Sequence, residues 1–199
     1  MRPLQVPLAA ALLAAVLAVP RPSGLAAQSP LVLDVRAGAT LPTGSFVREG
    51  LEAELSPGAG FGLHFTLQRH PWRAFYAGFS QHRFGCDGAG CPGGGELVST
   101  GWNLGTRLSV ATGGASPWLR LGVVFDRVEA DFLEGGDEVG RVSDLGVGGE
   151  VGIGVVMGTA RRLSLSPGVR YVLVDGRFER RGLVRMRYLV ADLGAVIAF

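Results

Sequence analysis

The sequence predicts an all-β protein, an eight-stranded antiparallel up-and-down transmembrane β-barrel. Three observations predict it. Glycine supplies 32 of 199 residues, about twice its average share; that weakens helix interiors and suits strands packed around a narrow interior. Eight segments alternate apolar and non-apolar residues with the period of two that marks a strand. The connections between them alternate short and long, as in barrels that cross a membrane with strands.

Residues 1–27 read as a cleaved secretory signal peptide and 28–199 as the barrel domain. Arg2 gives the positive start, residues 8–19 (LAAALLAAVLAV) the apolar core and residues 23–27 (SGLAA) the small residues of a cleavage region. That core is too short for a spanning helix. No cysteine stands directly after the cleavage region, which argues against a lipid anchor. No later segment is long and apolar enough to span as a helix, so insertion in a membrane must use strands.

The predicted strands cover 31–41, 58–68, 73–84, 96–111, 117–130, 143–158, 163–176 and 184–199. Segments 69–72, 112–116 and 159–162 read as short turns. Segments 42–57, 85–95, 132–141 and 176–183 read as longer loops rich in glycine and charge. An even strand count places both termini at the short-turn end.

The faces of these strands are unequal. The second carries Ala59, Phe61, Leu63, Phe65 and Leu67 on one side, and Gly60, Gly62, His64, Thr66 and Gln68 on the other. The sixth sets Val147, Val151, Ile153 and Val155 against Gly146, Gly148, Glu150, Gly152 and Gly154. A soluble lipocalin-like binding barrel would turn the apolar side inward. Here the polar sides are mostly glycine and serine with single charges, unlike a water-facing surface. Small residues fit a cramped lumen and large ones fit lipid, so the apolar faces are expected to point outward.

The closing segment 188–199 (YLVADLGAVIAF) alternates to a final Phe199, and the opening segment 33–44 reads LDVRAGATLPTG. Together with the strand pattern, these make the mature chain resemble the small eight-stranded outer-membrane barrels of the OmpA/OmpX type. The resemblance implies a monomeric protein of the bacterial outer membrane. It makes Phe199 part of a signal for the barrel assembly machinery. It puts outer-membrane lipids, lipopolysaccharide included, among the partners. The peptidoglycan-binding domain that follows the barrel in longer members is not expected here.

Eight charged residues fall on inward faces: Asp34, Arg36, Arg107, Arg120, Asp126, Glu150, Arg170 and Asp192, four acids and four arginines. Charges in a low-dielectric interior need partners, and arginine offers carboxylates a two-pronged fit. They are expected to form a structural network. An eight-stranded interior is just wide enough for side chains to fill, so a pore is not expected.

Cys86 and Cys91, the two cysteines of an exported chain, predict a disulfide in the second long loop. Without a nearby histidine pair they lack the ligands of a metal site. Arg185 and Arg187 stand out within a cluster with Arg177, Arg180 and Arg181 near the last long loop. They share the outward face of Phe199 and are expected at lipid-headgroup height, where arginine binds phosphate well.

Catalysis has weaker support. Ser80 and His82 share a strand face, and some barrels of this kind modify lipid A with such residues, but two residues on one strand make no triad. His64 stands alone, and His70 precedes Pro71 in a turn. Residues 146–152 (GVGGEVG) lack nucleotide-loop spacing and a following helix. The chain has no lysine, and a net charge of +2 is too small to imply nucleic acid. No enzymatic activity and no cofactor are expected; the expected role is envelope structure or surface interaction, and the alternatives are a lipid-A-modifying enzyme and a soluble lipocalin-like periplasmic binding barrel.

Overall fold

In the computed structural model, the described residues are 31–44, 46–48, 51–70, 72–87, 91, 94–110, 115–134, 137–158, 163–177 and 183–199. The predicted signal peptide lies outside them, as do Arg180 and Arg181. The strands are β1 (Leu31–Pro42), β2 (Phe46–Arg48), β3 (Leu51–Ser56), β4 (Gly58–His70), β5 (Arg73–Asp87), β6 (Gly95–Ser109), β7 (Ala115–Glu134), β8 (Asp137–Val142), β9 (Gly146–Gly158), β10 (Leu163–Arg177) and β11 (Leu183–Ala198).

Eight of these make the barrel wall. β1 pairs with β4, β4 with β5, and the ladder continues through β6, β7, β9, β10 and β11. β11 returns to β1, with Val35 opposite Ala195 and Ala39 opposite Ala191, so the sheet closes on itself. Every pairing is antiparallel. Closure leaves no open edge in the wall, which a membrane-spanning sheet requires.

The wall is taller than the sequence predicted. β5 runs on to Asp87 and β7 to Glu134, and the predicted loop 132–141 belongs largely to a β7–β8 hairpin. The predicted loop 42–57 holds β2 and β3, which bridge β11 to β5 through Val47 opposite Arg185 and Glu54 opposite Asp87. The reason is a change of surroundings. Along upper β7, Arg127, Glu129 and Asp131 face outward while Val128 and Ala130 are buried inside. Nearer the short turns, Leu119, Leu121 and Val123 face outward while Arg120 and Asp126 are buried. The parity continues without a break, but the polarity of both faces inverts. A charge-rich segment therefore reads as loop although its backbone stays extended.

The lumen consequently has two tiers. The part toward the short turns is polar and ionic. The part toward the long loops is an apolar core of Phe84, Leu97, Val128, Val174, Met186 and their neighbours. The Cys86–Cys91 disulfide, with Cα atoms 5.9 Å apart, is buried within that core.

Glycines make room for the large inward side chains. A Cβ at Gly168 would sit 2.7 Å from Trp118 Cζ2, and one at Gly152 would sit 2.7 Å from Arg170 Cγ. Such approaches leave space for hydrogen alone, so the high glycine content follows from filling a narrow barrel with arginine, tyrosine and tryptophan.

Candidate functional site

The ionic tier is built around one chain of alternating charge. Arg36 Nε donates to Asp34 Oδ2 at 2.9 Å within β1. Arg36 Nη1 donates to Asp192 on the neighbouring β11. Arg170 Nε on β10 donates to the other Asp192 oxygen at 2.8 Å. Arg170 Nη1 then reaches Glu150 on β9 at 3.3 Å, and Arg120 Nε on β7 donates to Glu150 at 2.9 Å. Six of the eight predicted lumen charges thus join into one line across five strands, with every member buried. Dense pairing is what makes buried charge tolerable.

Neutral groups complete the network. Tyr76 donates its hydroxyl to Glu150 at 2.7 Å, and the Arg120 guanidinium lies 3.8 Å from the Tyr76 ring centroid. Ser166 Oγ accepts from Arg36 Nη2 at 2.8 Å and from Trp118 Nε1 at 3.1 Å. Arg36 also sits 5.1 Å from the Trp118 ring centroid. Sequence reasoning did not single out Tyr76, Trp118 or Ser166. The available signal was parity: Tyr76 shares its inward face with Ser80 and His82 on β5, and Trp118 with Arg120 on β7.

Asp126 and Arg107 stand apart from the chain. Asp126 lies on the loop side of it and accepts a hydrogen bond from Ser99 at 2.8 Å. Among the described residues Asp126 thus pairs with none of the arginines, outside the network expected of the eight inward charges. Asp126 is six residues farther along β7 than Arg120, and at about 3.3 Å of rise per residue that separation exceeds side-chain reach. Arg107 sits opposite Arg120 in the register and near the short-turn mouth. Its Nε is buried without a hydrogen-bond partner.

The histidines divide by position. His64 and His82 are buried in the lumen, and the His82 ring lies 5.1 Å from that of Tyr188. Ser80 faces the lumen too, where it accepts from Asn103 Nδ2 at 3.4 Å. His70 packs edge-on against Trp72 at the short-turn end. Among the described residues no group of three histidine, cysteine, aspartate or glutamate side chains converges to hold a metal.

The outer surface carries a belt of exposed large apolar residues, among them Trp102 at 64% exposure, Ile153 at 61% and Leu193 at 52%. Toward the short turns the belt is bounded by Trp72 and Phe75, each flanked by the Arg73 guanidinium. Toward the loops, Phe79 packs against both Phe61 and Trp102. Aromatic girdles flanking an apolar band are the outer surface of a membrane barrel. A soluble barrel has the opposite polarity. Beyond the belt the outward faces turn charged, with Arg83 paired to Glu96 and Arg185 paired to Asp175. Arg187 is exposed one outward step from Arg185. At the other end of β11, Phe199 is half-buried on the outward face, and its backbone N–H approaches the Leu31 carbonyl at 3.5 Å.

The closed architecture matches solved structures. Neisserial surface protein A superimposes with a TM-score of 0.61 at 16% identity, over 87% of this chain and 99% of that one. The chain has the fold of the small eight-stranded outer-membrane β-barrels. Outer membrane protein AlkL in lipid bilayers matches with a TM-score of 0.52 at 14% identity, over 91% of this chain and 95% of that one. The outer membrane protease OmpT from Escherichia coli matches at 0.52 with 9% identity, over 89% of this chain and 99% of its own. No family model and no curated protein matches the chain. At these identities the likeness is one of fold, and the barrel's role rests on its own residues.

Proposed function

We propose that this barrel resides in the bacterial outer membrane and serves the envelope as a structural or surface-interaction protein, without catalysis. The observation that carries this reading is the filled lumen. Paired charges occupy one tier and apolar side chains the other, so the surface offered beyond the lipid belt is the sheathed, loop-end extension. The inward position of Ser80 and His82 supports the same reading, because a lipid-modifying group needs access to lipid at the rim.

On this reading Arg185 and Arg187 meet the phosphates of lipopolysaccharide at the loop-end edge of the belt. A rim position suits them, since an arginine costs little near the interface. Phe199 is read by the assembly machinery, and the barrel acts as a monomer after removal of residues 1–27.

Membrane fractionation with a heat-modifiability gel tests the placement. The folded barrel is expected to sediment with the outer membrane and to migrate differently before and after boiling; recovery in the soluble periplasm overturns it. For the lipid contact, binding of purified barrel to lipopolysaccharide vesicles is compared with that of Arg185→Gln/Arg187→Gln. Weaker binding by the variant is expected, and equal binding leaves these residues as ordinary rim charges.

A further inference from the structure

We propose that the short-turn end of the lumen holds a small monatomic anion, of halide size, in a cavity walled by His64, Arg107 and Arg120. The cavity has a volume of about 10 Å³ and is also lined by Asp34, Arg36 and Tyr76. Three guanidinium groups and one carboxylate therefore face it.

Most of that charge is already committed. In the ionic chain three acids, Asp34, Asp192 and Glu150, balance three arginines, Arg36, Arg170 and Arg120. Arg107 remains over. Among the described residues it forms no ion pair, and its Nε has no acceptor. Asp126, the fourth acid, lies away toward the loops on Ser99. The ionic tier is thus one negative charge short beside the cavity.

His64 supplies the second observation. Its side chain lines the cavity and is 1% exposed, yet neither ring nitrogen has a hydrogen-bond partner. A neutral imidazole carries one N–H donor, and a buried donor without an acceptor is costly. An anion in the cavity accepts from His64 and Arg107 together and supplies the missing charge. Asp34 is the one repulsive group on the wall; its Oδ2 is held by Arg36, and its Oδ1 is buried without a hydrogen-bond partner.

Size and access set the chemical class. A cavity of about this volume admits roughly one water-sized sphere, so a chloride-like ion is accommodated with slight relaxation, while sulfate or phosphate is excluded. Arg107 is only half-buried and lies two residues from Ser109, the end of β6. The short-turn mouth is therefore the route in.

The test uses the purified, folded barrel. Crystals soaked in sodium bromide, with data collected on both sides of the bromine edge, are expected to show an anomalous peak between His64 and Arg107. In unfolding at matched ionic strength, bromide is expected to raise the midpoint relative to gluconate, which is too large to enter. Arg107→Gln, checked for folding by its heat-modifiable migration, is expected to lose both peak and halide dependence. Absence of a peak in the wild-type barrel means that water fills the cavity and overturns the proposal, whether or not the variant folds. A peak or halide dependence retained in the variant means an adventitious ion only and overturns it as well.

Discussion

Arg170 on β10 donates through Nε to Asp192 on β11 at 2.8 Å, with both side chains out of reach of water. The bond locks two adjacent strands. Each partner then continues the line, Asp192 to Arg36 and Arg170 to Glu150. Chain residues 36 and 120, far apart in sequence, are thereby tied through one buried polar path. Losing a middle member leaves charges on both sides uncompensated.

Glu150 is the member with most to lose, since it serves Arg120, Arg170 and the Tyr76 hydroxyl. Glu150→Gln is expected to destabilise the barrel by roughly 3–5 kcal/mol, the usual cost of stranding a buried cation. Asp126→Asn, which disturbs a single serine bond, is expected to cost about 1 kcal/mol. Urea unfolding of the two variants in lipid vesicles compares them directly; equal losses would contradict the network drawn here.

Small-to-large changes at the lumen glycines probe the packing. A Cβ on Gly122 collides with the Tyr76 hydroxyl and comes within 3.0 Å of its Cζ. Gly122→Ala is expected to cost roughly 1–3 kcal/mol through overpacking. Gly158→Ala meets nothing within 4 Å and is expected to stay within about 0.5 kcal/mol of the parent. Paired unfolding curves give the difference.

The disulfide closes a loop with a sequence separation of 5. On loop-closure entropy alone it contributes about 2 kcal/mol or less. Cys86→Ala/Cys91→Ala is therefore expected to remain folded with a modest drop in unfolding midpoint. Peptide mass mapping without reduction checks the bond itself, and two free thiols there would refute it.

Phe199 separates assembly from stability. Its deletion removes one half-buried outward side chain and a single long backbone contact. The refolded variant is expected to unfold close to the parent, whereas the amount inserted in cells is expected to fall. Normal insertion at native expression would remove Phe199 from any role in assembly.

Planar-bilayer recordings test the filled lumen. The two tiers are expected to show no large stable conductance, and a steady porin-like current would overturn the packing described here.

The sequence by itself determined the eight strands of the wall, the closed all-β class and the inward or outward parity of residues such as Asp34, Glu150, Phe61 and Ile153. Parity is a local property: successive side chains on an extended backbone point to opposite faces whatever lies beyond them. Tertiary structure alone decided which inward residues meet. Asp126 and Arg120 share one face of β7, yet six residues of rise put them on different levels, while Arg36 finds Asp192 through the register of β1 with β11. Pairing depends on stagger between strands, which no single strand encodes. The height of the wall was hidden for a related reason. Above the belt the outward face meets water instead of lipid, so Arg127 and Glu129 turn out and Val128 turns in. The alternation persists while its polarity reverses, and only the surroundings of the folded barrel say which side is which.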